Sequence, residues 1–463
     1  ESPDLGAVVL AVCSEQVRAY GMEQGEPALR RQVDSGGVRA ATADLDSDGR
    51  SDLVIASGDR SSICWGKSDW AADATTPLPT LDAKDVAVAD LDKDGRTDIV
   101  FANFSEGIYT NMDVCSYVYW GRSWGYGQES RTDLQTFGAT AVAVGDLNHD
   151  GRLDIVFGNS GSGIKGGKGE LVYVYWGRAH RGYSPAALSR YPCVMGMATA
   201  MADLDDDGHA ELLVANSGRH YSGQPGASYI YWGTPDGPSL NKRVDVPANE
   251  VGSWSVADLD RDGYLDAVAC DFDAIAIVWG GPQGATKAPA RIEHVAKAAQ
   301  VCRLVDFDRD GWLDIVVPDI RGDHSKVLLG GGAQYSLERT LRIEEAYVSN
   351  VEFADLNADG RLDMILLRSY RPEVGWVDRN DSWVKIKLGG AKGFEERPAA
   401  ELPTAGAFDA AVADFDGDGD LDLAVTQYQS RERRNLPAYI YRNDGRGGFS
   451  SRDRSSLPAE GGS

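Results

Sequence analysis

The sequence has no uninterrupted run of 18 apolar residues, so no stretch of it reads as a membrane-spanning helix. It has no basic stripe and no recognisable nucleic-acid reader, which excludes nucleic-acid binding, and the acidity behind its formal charge of −25 points to cations, not to a basic partner. Cysteine is scarce. Six residues (Cys13, Cys64, Cys115, Cys193, Cys270 and Cys302) are too few and too scattered for a disulfide framework, and with no CxxC pair they make no zinc site. Occasional disulfides and buried thiols both remain open. A Ser-His-Asp order, a phosphate loop, a Cys-His pair and a haem motif are also missing, so the common catalytic signatures are excluded. The chain begins at Glu1 with neither methionine nor a signal-like apolar core, which sets the expectation of a mature secreted chain whose signal has been removed.

What the sequence does have is acid and glycine in register. Residues 414–422 read Asp-Phe-Asp-Gly-Asp-Gly-Asp-Leu-Asp, and seven further copies start at Asp44, Asp90, Asp146, Asp203, Asp258, Asp306 and Asp355. Oxygen donors fall at the first, third, fifth and ninth positions, with glycine at the sixth to reverse the backbone between them. The donors are Asp44, Asp46, Asp48 and Asp52; Asp90, Asp92, Asp94 and Asp98; Asp146, Asn148, Asp150 and Asp154; Asp203, Asp205, Asp207 and Glu211. They continue as Asp258, Asp260, Asp262 and Asp266; Asp306, Asp308, Asp310 and Asp314; Asp355, Asn357, Asp359 and Asp363; Asp414, Asp416, Asp418 and Asp422. Convergent carboxylates suit Ca²⁺, which accepts many oxygen ligands in loose geometry, better than Mg²⁺ or Zn²⁺. Eight Ca²⁺ ions would leave a net charge of about −9, ordinary for a soluble protein of this size. Asn148 and Asn357 predict weaker binding in the loops led by Asp146 and Asp355.

These loops are not EF-hands, because the twelfth residue is apolar in each (Ile55, Phe101, Phe157, Val214, Ala269, Val317, Leu366, Val425) where an EF-hand needs a bidentate glutamate. Each interval between loops instead predicts four strands. Strand A is small and precedes the loop, as in Val86-Ala87-Val88-Ala89. Strand B follows it as a continuous apolar run, which suits burial on both faces. Strand C often ends in Trp-Gly, as in Tyr117-Val118-Tyr119-Trp120-Gly121, and D is the weakest. Radial repetition of four-stranded sheets is a β-propeller. The expectation is an all-β propeller of eight four-stranded blades, with seven or nine as alternatives and a Ca²⁺ loop between strands A and B of each repeat. Residues 38–452 would form the propeller, 1–37 would complete or clasp the closing blade, and 453–463 would be a disordered tail.

The repeated Asp-x-[Asp/Asn]-x-Asp-Gly-x-x-[Asp/Glu] between two strands resembles the FG-GAP and VCBS propeller family, to which integrin α-subunit propellers and some fungal lectins belong. The resemblance implies fold and calcium, and it leaves adhesion, sugar binding and polysaccharide cleavage open.

Strand alternation puts the A–B loops on one face and the B–C connections on the other. Five B–C connections are long: Phe104 to Ser116, Ser160 to Leu171, Ser217 to Ser228, Ser369 to Trp383 and Tyr428 to Pro437. Strand B ends on a polar residue in every repeat, including Asn103, Asn159 and Asn216. These residues are read either as bonding the backbone of the turn they begin or as a polar ring around a ligand. With Tyr370, Arg371, Trp376 and Trp383 they make the candidate binding set, for a carbohydrate or an extracellular protein. Arg219, His220 and Tyr221 are the candidate catalytic residues should the chain be a polysaccharide lyase acting on uronate-containing glycan. A third reading is a scaffold subunit of an extracellular complex. The expected location is secreted, extracellular or cell-surface, or periplasmic.

Overall fold

The computed structural model describes residues 40–66, 75–107, 111–160, 171–178, 182–194, 196–217, 227–282, 284–285, 288–331, 335–368, 370–371, 375–376, 382–391, 393–404, 406–427 and 438–457. Among them there is no α-helix; the regular structure is strand, with short 3₁₀ turns at Gln128–Ser130 and Pro185–Ala187.

The strands form six four-stranded antiparallel sheets and one seven-stranded sheet, and two small hairpins decorate them. Sequential strands are neighbours throughout, as a meander requires. The seven-stranded sheet is two repeats sharing one long strand, Thr75–Ala89. Its first part pairs with Gly58–Cys64 as strand D of the first unit, and its second part pairs with Asp98–Asn103 as strand A of the next. Register shifts on both sides of Ala83 and a left-handed Asp82 (φ 48°) bend it between the two roles. Eight consecutive units result, all-β and propeller-like in their succession. In unit 3 the strands are Ala139–Gly145, Asp154–Asn159, Leu171–Tyr175 and Leu188–Pro192.

Strand B is buried at every residue in Asp98–Asn103, Asp154–Asn159 and Glu211–Asn216, the burial expected of an apolar run covered on both faces. The cores lie between units. Val54, Ile63 and Leu78 of unit 1 pack with Ile99, Phe101 and Tyr119 of unit 2. Ala40, Leu53 and Cys64 of unit 1 share another cluster with Ala411, Phe415, Ala424 and Ile440 of unit 8, so the first unit packs against the last.

Unit 8 takes all four strands from the C-terminal part of the chain: Ala407–Ala413, Asp422–Gln427, Ala438–Asn443 and Phe449–Leu457. It is four-stranded without residues 1–37, whose expected clasp lies outside the described residues. The last strand also runs beyond 452, where the repeats were expected to end, because Ala438 to Ile440 pair in register with Leu457 to Ser455. Cys64, Cys270 and Cys302 are buried thiols, while Cys13 lies outside the described residues.

Candidate functional site

Each acidic loop is organised by its first aspartate. In the loop led by Asp90, Oδ1 accepts the N–H of Asp94 (3.0 Å) and Oδ2 that of Gly95 (2.9 Å). The Arg96 N–H then donates to Asp94 (3.0 Å). The bond from the sixth residue recurs in all eight loops, at 2.8–3.1 Å. Two left-handed residues make the reversal. The expected one is the sixth-position glycine, for instance Gly95 (φ 84°). The other is the fourth residue: Ser47, Lys93, His149, Asp206, Arg261, Arg309, Ala358 and Gly417 all have φ between 54° and 77°. Sequence reading misses this position because only Gly417 advertises it.

The ninth-position carboxylate plays a different part from the first three. It is fully buried and bridges two strands. Asp98 Oδ2 accepts the Leu91 N–H (2.9 Å), and its Oδ1 accepts that of Gly121 (2.8 Å), the glycine of the Trp-Gly pair closing strand C. The same bridge joins Asp52 to Gly66, Asp154 to Gly177, Glu211 to Gly233, Asp266 to Gly280, Asp314 to Gly330 and Asp363 to Gly389. Asp422 reaches the Asn443 N–H instead. A Cβ on Gly121 would stand 2.5 Å from the Thr97 carbonyl oxygen, which explains the glycine. Trp120 meanwhile donates Nε1–H to Thr132 (2.9 Å) and stacks on Tyr183 of the next unit (6.2 Å between ring centres). The strand C tryptophans are therefore structural.

Three acidic side chains bring oxygens within 4.8 Å of one another in the sets Asp44/Asp46/Asp48, Asp90/Asp92/Asp94, Asp203/Asp205/Glu211, Asp258/Asp260/Asp262 and Asp306/Asp308/Asp314. Burial, reinforced by neighbouring loop carboxylates and opposed by the backbone bonds, raises the ninth-position groups. Asp52 and Asp422 move to about 6, Asp98, Asp154, Asp266 and Asp314 to about 7, and Glu211 to about 9. Asp363 is raised by the same cause. Asp205 Oδ1 and Asp306 Oδ1 are buried and accept no hydrogen bond. Crowded carboxylates with orphaned oxygens are a donor set that fits a hard cation, whose charge would remove the cost of keeping them ionised.

The face opposite the loops is partly settled. Asn103, Asn159 and Asn216 are fully buried. Their Oδ1 atoms accept the N–H of Leu81 (3.2 Å), Phe137 (3.0 Å) and Val194 (2.9 Å), and their Nδ2 groups donate to the carbonyls of Cys115, Leu171 and Ala227. Of the two roles read from sequence, they occupy the structural one, tying strand B to the turns on either side. Trp383 is likewise packed among Val305, Val316, Phe353 and Leu366, with Lys385 4.4 Å from its ring centre. Tyr370 pairs with Trp376 across a two-stranded hairpin, Arg371 with Gly375, inside the long connection of unit 7. Arg219, His220 and Tyr221 lie outside the described residues.

An all-β repeat scaffold with one acidic A–B loop per unit is thus the class of protein that fold and site define. FG-GAP-like repeats match residues 44–101, 203–269, 258–317 and 306–366, and FG-GAP repeats match 138–175 and 407–445, together more than half of the chain. The chain belongs to the FG-GAP repeat family. No curated protein sequence matches it. Among solved structures it is similar to an Agrocybe aegerita lectin described as recognising non-reducing terminal N-acetylglucosamine, at 16% identity and a TM-score of 0.45, covering 91% of this chain and 94% of that one. It is also similar to the V. cholerae biofilm matrix protein Bap1, at 13% identity and a TM-score of 0.33, covering 97% of this chain and 84% of that one.

Proposed function

We propose that this chain is a secreted, calcium-stabilised, eight-bladed β-propeller. It binds a carbohydrate or an extracellular protein on the face opposite its acidic loops. Closure into a ring of eight is supported by the cluster shared by units 1 and 8. Eight Ca²⁺ ions are supported by the shared geometry of the loops and by the raised, crowded carboxylates. Asp, Asn and Glu at the first, third, fifth and ninth positions would hold the ions, with the ninth also bonded to backbone. Calcium supplies charge and fixes each A–B turn, and recognition is left to the other face.

The observation that carries the recognition reading is an asymmetry of connections. On one face every A–B turn is the same tight nine-residue loop. On the other, the described strands leave long spans in five units, as between Asn159 and Leu171 or Asn216 and Ser228, and short ones such as Ile55 to Gly58 or Cys270 to Ala274 elsewhere. Long exposed connections on a rigid scaffold are where recognition residues sit. Tyr370, Arg371 and Trp376 on the unit 7 hairpin are the residues assigned to ligand contact.

A glycan array read in calcium and in EGTA tests this. Binding of a glycan class, lost in the Tyr370→Ala/Trp376→Ala double variant while the melting temperature in calcium holds, is the expected result. No binding to any neutral or anionic glycan or to extracellular protein baits would reject it. New ultraviolet absorbance from unsaturated uronic products would replace it with the lyase reading.

A further inference from the structure

The acidic-loop face carries a joint that recurs between neighbouring units. At three joints the fourth residue of one loop stands against the seventh residue of the next. Arg261 lies 4.5 Å from the ring centre of Trp312, and the Arg50 side chain lies where a Cβ on Gly417 would stand. Between units 3 and 4 the same two positions are His149 and His209, with ring centres 6.2 Å apart and planes at 87°. Two of the six histidines in the chain therefore meet at one joint. No other joint pairs two imidazoles, since the remaining seventh positions are Arg50, Arg96, Arg152, Tyr264, Trp312, Arg361 and Asp420.

His209 Nδ1 is shielded from solvent and has no hydrogen-bond partner. A buried ring nitrogen left unbonded costs free energy unless something takes its lone pair or its proton. Its backbone is already committed, the N–H donating to Asp207 Oδ1 at 2.8 Å. Imidazole nitrogen selects borderline transition metals, whereas the loop carboxylates select hard ions. Two imidazoles on one tetrahedral ion, each with a metal–nitrogen bond of about 2 Å, bring their ring centres to roughly 5–6 Å, close to the spacing found.

We propose that His149 and His209 form a site for a transition-metal dication of the Zn²⁺ class, clamping the loops of units 3 and 4 together. The site is separate from the calcium loops in its donor chemistry. It also falls between two of the three loops that depart from the common pattern, those carrying Asn148 and Glu211.

Titrating Zn²⁺ into the calcium-saturated full chain by calorimetry tests the site. One Zn²⁺ per chain is expected, with affinity weakened at least tenfold in His209→Arg and in His149→Asn. Arginine already occupies the seventh position of four other loops, and asparagine tolerates the left-handed backbone at His149 (φ 57°). An unchanged calcium stoichiometry and melting temperature would show that both variants fold. Cobalt substitution adds a second reading, because a visible ligand-field band that requires both histidines reports nitrogen ligation. Wild-type Zn²⁺ affinity in either variant, or Zn²⁺ that only displaces Ca²⁺ from the loops, would overturn the proposal.

Discussion

At the scale of single residues, the ninth-position carboxylate is the most constrained group in each repeat. It is an acid kept away from water to hold two backbone N–H groups. Its raised pKa has a direction that stability must follow. Between about pH 4 and 7 the folded chain without calcium binds protons that the unfolded chain has lost, so its stability falls as pH rises through the folded values near 7. The calcium-free protein is therefore expected to melt higher at pH 5.5 than at pH 8. The calcium-loaded protein should show the opposite order, since protons compete with the ion. Thermal melts at both pH values, with and without calcium, check this, and matching trends would count against the buried carboxylates. The glycine that receives each bridge is equally tight. Gly121→Ala places a methyl 2.5 Å from a carbonyl oxygen and is expected to cost about 1–3 kcal/mol in urea unfolding. Asn103→Leu removes the partners of the Leu81 N–H and the Cys115 carbonyl and should cost about 1–3 kcal/mol. It should leave ligand binding intact, because Asn103 has no exposed surface.

At the scale of elements, the A–B hairpin with its loop is one cooperative piece. The first aspartate accepts the N–H of the fifth and sixth residues, and the fifth accepts that of the seventh. Asp90→Ala is expected to remove one Ca²⁺ from the bound complement and leave the other sites filled, which native mass spectrometry counts directly. Loss of all ions together would mean that the loops are not independent sites. The hairpin was legible in sequence because its donors and its turn glycine fall within nine residues. The Trp-Gly signature was visible too. Its reason was not, because the Thr97 carbonyl that forbids a side chain on Gly121 belongs to the acidic loop, more than twenty residues earlier in the chain.

At the scale of the whole molecule, stability is spread over the succession of units. Each hydrophobic cluster spans neighbouring units, and in the proposed reading each loop adds its own ion. If every site had a dissociation constant near ~0.1 mM in ~1 mM calcium, each would contribute about 1.4 kcal/mol and the eight together about 11 kcal/mol. That is comparable to the stability of an entire domain. Chelation with EGTA at pH 7.5 is expected to lower the melting temperature by tens of degrees, and an unchanged melt would remove calcium from the account.

What the sequence determined by itself was whatever closes within a short span: eight acidic loops, their period, their placement between two strands, and hence an all-β repeat fold. Those features depend on local backbone geometry and on residues a few positions apart. Tertiary structure decided everything that joins distant positions. It placed Asn103, Asn159 and Asn216 inside the turns instead of around a mouth, packed Trp383 into a core, and set unit 1 against unit 8. It also brought His149 beside His209, two residues whose separation in the chain carries no sign of their meeting. The physical reason is that burial and pairing across units are set by how whole sheets pack, and one repeat read alone holds only half of each contact.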